Sequence, residues 1–277
     1  MSTAMKTCLA LLFVGSTAFA QTPPPAVPAA PSAVAAAPTA PLSAEKMKEI
    51  LARIDDRQRN TGDYKAKAFI EQREKNKQDV FYEAVFYRRD ISEQFLILFL
   101  APRTEAGKGY LRINRNLWMY DPPTGKWERR TERERIGGTN SRSQDFDPLN
   151  YARDFTHVYV GAERLGAFAV HHLKLTVKDG AKAPDPVIEL WVDAATDNVL
   201  KQQDYALSGR LLRTAYYPKW EKVFSESKKT EVYYAKEIRI FDEVDKQNRT
   251  TVLIDNVDLR PLEPNIFTKA WLEFKSR

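Results

Sequence analysis

The residues of this 277-residue chain with the clearest chemical potential are three histidines, one cysteine and a surplus of arginine. Adjacent strand residues face opposite sides, so His171 and His172 cannot share one metal without distortion. No His-x-x-x-His spacing accompanies His157, and the three are read as structural or surface imidazoles. Cys8 is the only cysteine. It falls in the N-terminal leader described below, so a processed chain has no thiol for a disulfide, a metal site or a nucleophile. There is no Gly-x-Ser-x-Gly elbow and no glycine loop for phosphate. Asp55-Asp56 and Asp242-Glu243 are carboxylate pairs of a kind common at the solvated ends of elements. The residues point away from catalysis and call for no metal or cofactor. A secreted hydrolase assembled from residues distant in sequence is the remaining enzymatic alternative.

The densest charge lies in Arg129–Arg142, RRTERERIGGTNSR, with Arg129, Arg130, Arg133, Arg135 and Arg142. One reading is a lip, made mobile by Gly137-Gly138, that meets phosphate head groups or an acidic partner. The other is a solvated loop whose arginines pair with Glu128, Glu132 and Glu134. Over the whole chain 43 Lys+Arg intersperse with 37 Asp+Glu for a net charge of +6. That basic balance suits anionic head groups or acidic proteins, and secretion argues against nucleic acid.

The elements that position these residues are mostly strands. Ser43–Arg59 is the one long helix: Met47, Ile50, Leu51 and Ile54 form an apolar stripe, Ser43 caps it, and residues 60–63 (Asn-Thr-Gly-Asp) end it. Strands follow at Tyr64–Glu71, Asp79–Arg88, Glu93–Leu100, Gly109–Asn114, Asn116–Tyr120 and Lys126–Thr131. One or two helical turns are expected in Pro148–Asp154. Further strands are Phe155–Glu163, Ala169–Lys178, Val187–Asp193, Val199–Leu207, Leu211–Tyr217, Glu231–Phe241, Thr250–Val257 and a short Phe267–Leu272. Most alternate apolar and polar, the pattern of a sheet wet on one face. The run at residues 95–100 (Phe-Leu-Ile-Leu-Phe-Leu) is apolar on both faces and must be covered on both.

The fold class is mainly β (α+β): a curved antiparallel sheet, an incomplete barrel of about eleven strands with the helix on its concave side. One helix is a small plug for so much apolar surface. By strand parity the concave lining is expected to be Ala68, Ile70, Phe95, Ile97, Phe99, Leu111, Ile113, Leu117, Met119, Leu173, Leu175, Ile188 and Leu190. Trp118 and Tyr120, of opposite parity to Leu117 and Met119, are read as packing residues.

Upstream, residues 1–20 read as a secretory signal: Lys6, the apolar Leu9–Val14, and Ala18-Phe19-Ala20 at a small-x-small cleavage site. Residues 21–42 form a Pro/Ala-rich linker that cannot build a core. The rest, 43–277, reads as one domain.

Tyr110–Pro122 within GYLRINRNLWMYDPPTGK resembles the "YLRxxxNLWMYDP" hallmark of the LolA-like outer-membrane lipoprotein-sorting proteins. Asp145-Phe146-Asp147 with Leu149 resembles the family's "SDF…DL", although Ser143-Gln144 replace its usual Gly-Ser. Glu163-Arg164-Leu165-Gly166 before Val170–Leu175, Leu190-Trp191-Val192-Asp193 before Leu200-Lys201-Gln202, and Asn265-Ile266-Phe267-Thr268 are similar to further family segments. The resemblance runs from about Glu45 to the C-terminus and implies a periplasmic carrier or chaperone in lipoprotein or lipid trafficking, not an enzyme. The implied partners are an acylated lipoprotein or lipid, an inner-membrane transporter and an outer-membrane acceptor. The alternatives are an accessory subunit of an inner-membrane lipid exporter, or an envelope-stress sensor module. Sensor members carry a further C-terminal domain, which this reading does not find after Phe267–Phe274.

Overall fold

A computed structural model describes residues 41–277 except 60–61, 115, 132–133, 143–148 and 182. The expected signal and nearly all of the linker lie outside the described residues, as do Arg133, Glu132 and the Asp145–Asp147 segment.

The elements, in chain order, are α1 (Ala44–Gln58), β1 (Asp63–Arg73), β2 (Val80–Arg89), β3 (Gln94–Ala101), β4 (Gly109–Ile113), β5 (Asn116–Asp121), β6 (Lys126–Arg130), α2 (Tyr151–Asp154), β7 (Phe155–Leu165), β8 (Phe168–Val177), β9 (Val187–Asp193), β10 (Val199–Tyr205), β11 (Leu211–Ser225), β12 (Thr230–Asp242), β13 (Arg249–Asp258) and α3 (Lys269–Lys275). The sheet has thirteen strands rather than about eleven, in the order β6-β5-β4-β3-β2-β1-β13-β12-β11-β10-β9-β8-β7. It consists of two antiparallel meanders, β1–β6 and β7–β13, joined where β1 pairs with β13. The two strands at the sheet's ends, β6 and β7, are neighbours in sequence. Of the chain between them, residues 136–140 and Tyr151 pack on the concave side.

The α1 helix forms as its pattern requires. The Ser43 hydroxyl accepts from Lys46 N at 3.2 Å, and Met47, Ile50, Leu51 and Ile54 are buried. They pack on Leu173 and Leu175 of β8 and Ile188, Leu190 and Val192 of β9. Asp55, at the helix's buried end, accepts the backbone N–H groups of Tyr151 (2.8 Å) and Ala152 (3.0 Å) and so holds α2. Burial raises the Asp55 carboxyl, opposed by those two hydrogen bonds.

The doubly apolar β3 is covered on both faces. Phe95, Ile97 and Phe99 join the concave core with Ala68, Ala84, Leu117 and Met119. Leu96 and Leu98, with Leu111 of β4, lie beneath Ile266, Phe267 and Leu272. Residues 267–272, expected to form a strand, are instead the N-cap and first turns of α3. Thr268 Oγ1 accepts from Trp271 N at 3.1 Å. Lys269 Nζ stands 3.7 Å from the Trp118 ring centre and 4.8 Å from that of Trp127, and Trp127 Nε1 donates to Glu273 at 2.6 Å. Trp118 thus packs under this helix.

Gly109 admits that contact: a Cβ there would stand 2.6 Å from a Leu272 methyl. Gly109→Ala should cost about 1–3 kcal/mol by overpacking, read as a lower Tm.

Asp63 fastens the start of β1 to the end of β2 and to the C-terminal segment. It accepts Arg89 Nε (2.9 Å), Arg89 Nη2 (2.8 Å) and Leu262 N (2.6 Å), while Arg89 Nη2 also donates to Leu262 O (2.7 Å). Burial pushes its carboxyl up, but the Arg89 and Leu262 hydrogen bonds prevail and hold it below the ordinary value. A depressed carboxyl contributes stability above its unfolded pKa and loses it as pH falls through the folded one. Asp63→Asn should therefore cost about 1.5–3 kcal/mol at neutral pH. Below about pH 4 its denaturation curve should converge with that of the wild type.

Candidate functional site

The concave face is plugged at both ends and left uncovered in the middle. At the β7–β10 end the plug is α1 with α2. At the β1–β4 end it is the chain leaving β6. Residues 135–142 fold onto the sheet in a loop whose strand-like ends pair, Arg135 with Arg142. Ile136 is 2% exposed and joins the cluster of Phe99 and Tyr110. Asn140 N donates to Gln72 Oε1 (3.2 Å) and Thr250 Oγ1 (2.9 Å), and Thr250 Oγ1 in turn donates to Gln72. Gly137 N donates to the Tyr110 hydroxyl at 3.0 Å. Gly137 has φ +60°, and a Cβ on Gly138 would lie 2.6 Å from the Tyr82 hydroxyl. These glycines are present for left-handed backbone and close approach, not mobility.

Among the described residues, this stretch is held against the sheet. Of its arginines, Arg129 donates to Asn116 Oδ1 (2.5 Å), and Arg130 pairs with Glu128 (2.6 Å) and Glu134 (3.4 Å). Arg135 pairs with Asp242 (3.1 Å).

Between the plugs lies a cavity of about 360 Å³, within the range of ligand pockets. Its floor is the middle of the sheet: Ala215 of β11, Ile238 and Ile240 of β12, Val252 and Ile254 of β13. Ile54 and Arg57 of α1, Ile136 and Tyr151 border it. Arg57 and Tyr151 at its margin are engaged. Arg57 donates to Thr196 O (2.6 Å) and Asn198 Oδ1 (2.9 Å), and Tyr151 Oη donates to Gln202 Oε1 (3.1 Å). Burial holds Tyr151 well above the ordinary phenol value and pushes Tyr64 up to about 12. Such a site is suited to taking an apolar chain out of water.

Of the thirteen expected lining residues, Ile70, Phe95 and Ile188 border this cavity. Ala68, Ile97, Phe99, Leu117 and Met119 are on the concave face but lie within the core of the β1–β5 half. Leu173, Leu175 and Leu190 are covered by α1. Leu111 and Ile113 are corrected: they stand on the outer face beneath the C-terminal segment. Leu111 pairs directly with Trp118, and directly opposed residues share a face. The lining that the sequence reading missed comes from β11, β12 and β13. Its signal was the alternation Ile238/Ile240 and Val252/Ile254.

The histidines lie apart from the cavity. His171 and His172 face opposite sides, as the alternation requires. His172 stacks on Trp191 at 4.1 Å, with Nδ1 2.7 Å from Glu163 and Nε2 3.2 Å from Glu189. His171 lies 3.3 Å from the Tyr159 hydroxyl, and burial lowers it below the ordinary imidazole value. Among the described residues, no group of three or more His, Cys, Asp or Glu could hold a metal ion. Nor is any helix among them long and apolar enough to cross a membrane.

A family model described as "-like: Uncharacterized protein" matches residues 92–274. The chain belongs to that family. No curated protein matches it. Among solved structures it is similar to a putative outer membrane lipoprotein-sorting protein domain from Vibrio parahaemolyticus, with 18% identity and a TM-score of 0.70 over 83% of this chain and 100% of that one. It is similar to a DUF1329 family protein from Desulfovibrio piger, with 16% identity and a TM-score of 0.69 over 81% and 97%. A LolA superfamily protein from Nitrosomonas europaea matches with 20% identity and a TM-score of 0.65 over 81% and 98%. The fold is LolA-like, an open half-barrel.

Ile136 ties the plug to both the core and the cavity. Ile136→Ala should cost about 2–5 kcal/mol in denaturant unfolding and enlarge the cavity at the plugged end.

Proposed function

We propose that this chain is a non-enzymatic carrier that takes acyl chains of lipids or acylated lipoproteins into the cavity between its two plugs and moves them through the periplasm. The observation that carries the reading is the unfilled middle of the concave sheet, apolar on β11, β12 and β13 and bordered by α1 and Ile136. Each methylene transferred there contributes about 0.8 kcal/mol, so one chain supplies substantial gross affinity. The structural likeness to a putative outer membrane lipoprotein-sorting domain supports the same reading. Residues 1–20 act as the export signal and 21–42 as a linker to the carrier domain. An inner-membrane donor and an outer-membrane acceptor are its protein partners.

The test is titration of the delipidated protein with a fluorescent acyl probe. Saturable binding, displaced by long-chain lipid, is expected. Ile238→Trp, which fills the floor, should weaken it about tenfold or more while the far-UV spectrum is kept. Absence of binding in the wild type, or equal affinity in the variant, would sink the proposal.

A further inference from the structure

The hairpin of β11 and β12 outruns the sheet it belongs to. β10 pairs with β11 as far as Tyr216, and β13 pairs with β12 as far as Glu237. β11 and β12 pair with each other beyond those points, out to Ser225 and Thr230. Residues 219–236 are therefore a two-stranded arm, with no third strand beside it among the described residues. Such a ribbon is marginal unless it packs on something else.

What it packs on is the C-terminal end of α1. At the tip, Lys228 Nζ donates to Asp56 Oδ2 (2.8 Å) and to Asp56 O (3.1 Å). The Arg57 guanidinium stands 5.0 Å from the centre of the Tyr233 ring, a cation–π distance. The Asp56 side chain is 65% exposed, so its ion pair is of the weak, screened kind.

The root is built differently. The ladder slips between Tyr216 and Lys219 and again between Lys219 and Trp220. Pro218, which has no N–H to give, stands in the first gap. Two side chains tie the root to the sheet: Trp220 Nε1 donates to Val199 O (3.1 Å), and Lys236 Nζ to Asp255 Oδ1 (2.9 Å). The arm is thus anchored at its base, interrupted in its backbone ladder just there, and lightly pinned at its tip.

Both members of the tip contact border the cavity. Val223, Val232 and Tyr233 of the arm line it, as do Ile54 and Arg57 of α1. The Arg57–Tyr233 contact therefore joins two of its walls. Arg57 is also held by Thr196 O and Asn198 Oδ1, so it stays in place if the arm leaves.

We infer that the arm is the gate of the cavity. Residues 221–235 swing on the broken ladder at 216–220, Lys228 parts from Asp56, Tyr233 parts from Arg57, and the acyl chain passes between the arm and α1. The movement is a hinge that keeps the arm's own pairing intact. This deepens the carrier reading and rests on it, adding the route by which cargo enters and leaves.

The experiment locks the arm. In the delipidated full chain carrying Cys8→Ser, Asp56→Cys and Lys228→Cys, the two new thiols are joined by a bismaleimide whose spacer contains a disulfide. Binding and release of a fluorescent acyl probe are then followed by stopped flow. Linking should slow association and dissociation about tenfold or more each. Kd should stay within about twofold, because a gate governs passage in both directions. Reduction of the spacer should restore both rates. Lys228→Ala in the otherwise unaltered chain should speed both about two- to fivefold, and Lys228→Arg should return them towards the wild type. Unchanged rates after linking, or a change in affinity that reduction does not reverse, would overturn the gate while leaving the carrier intact, since the unlinked protein still binds the probe. Failure of the unlinked protein to bind the probe would remove the carrier reading and the gate with it.

Discussion

The pairing of β1 with β13 is the constraint from which the rest of the molecule follows. It joins two antiparallel meanders through their first and last strands and sends the sequence-adjacent strands β6 and β7 to opposite ends of the sheet. The described parts of the connection between them lie on the concave side. They place Ile136 and residues 139–141 against β1 and β13, and α2 beneath α1. The sheet's two ends are filled by its own chain and its middle is left open. An apolar cavity on β11–β13 is thus a consequence of connectivity as much as of side-chain choice.

Much of this was legible in the residues. Period-two alternation marks the strands, the Met47/Ile50/Leu51/Ile54 stripe marks α1, and the doubly apolar run of β3 correctly demands two covers. The identity of the second cover was hidden. The C-terminal segment is too short to announce a helix, and Thr268 as its cap is a single-residue signal. The residues left the crossing loop open between two readings, because adjacent glycines suit both mobility and tight approach. Only the neighbouring Tyr82 and Phe99 distinguish the two.

The error at β4 has a narrower cause. If the turn after β4 held three residues, Leu111 would oppose Met119 and share its concave face. In the structure Ile113 pairs with Asn116, leaving two residues in the turn, and Asn114 takes φ +50° to make it. One residue of turn length inverts the parity of a strand. Because β4 is buried on both faces, its own composition gave no warning. The cavity was misplaced for a related reason. Parity ranks strands by how apolar they are, and the most apolar ones pack most completely, so the open space falls on the less conspicuous strands β11–β13.

The bond between Gln72 and Thr250 spans 178 positions of chain. Loop closure of that length is slow, and it must come before the contacts that reward it. The first strand emerges from synthesis long before its partner, and the greasy third strand waits with it. Until the thirteenth strand is made the floor of the cavity is incomplete. The cavity between the plugs is complete only once β13 has paired with β1.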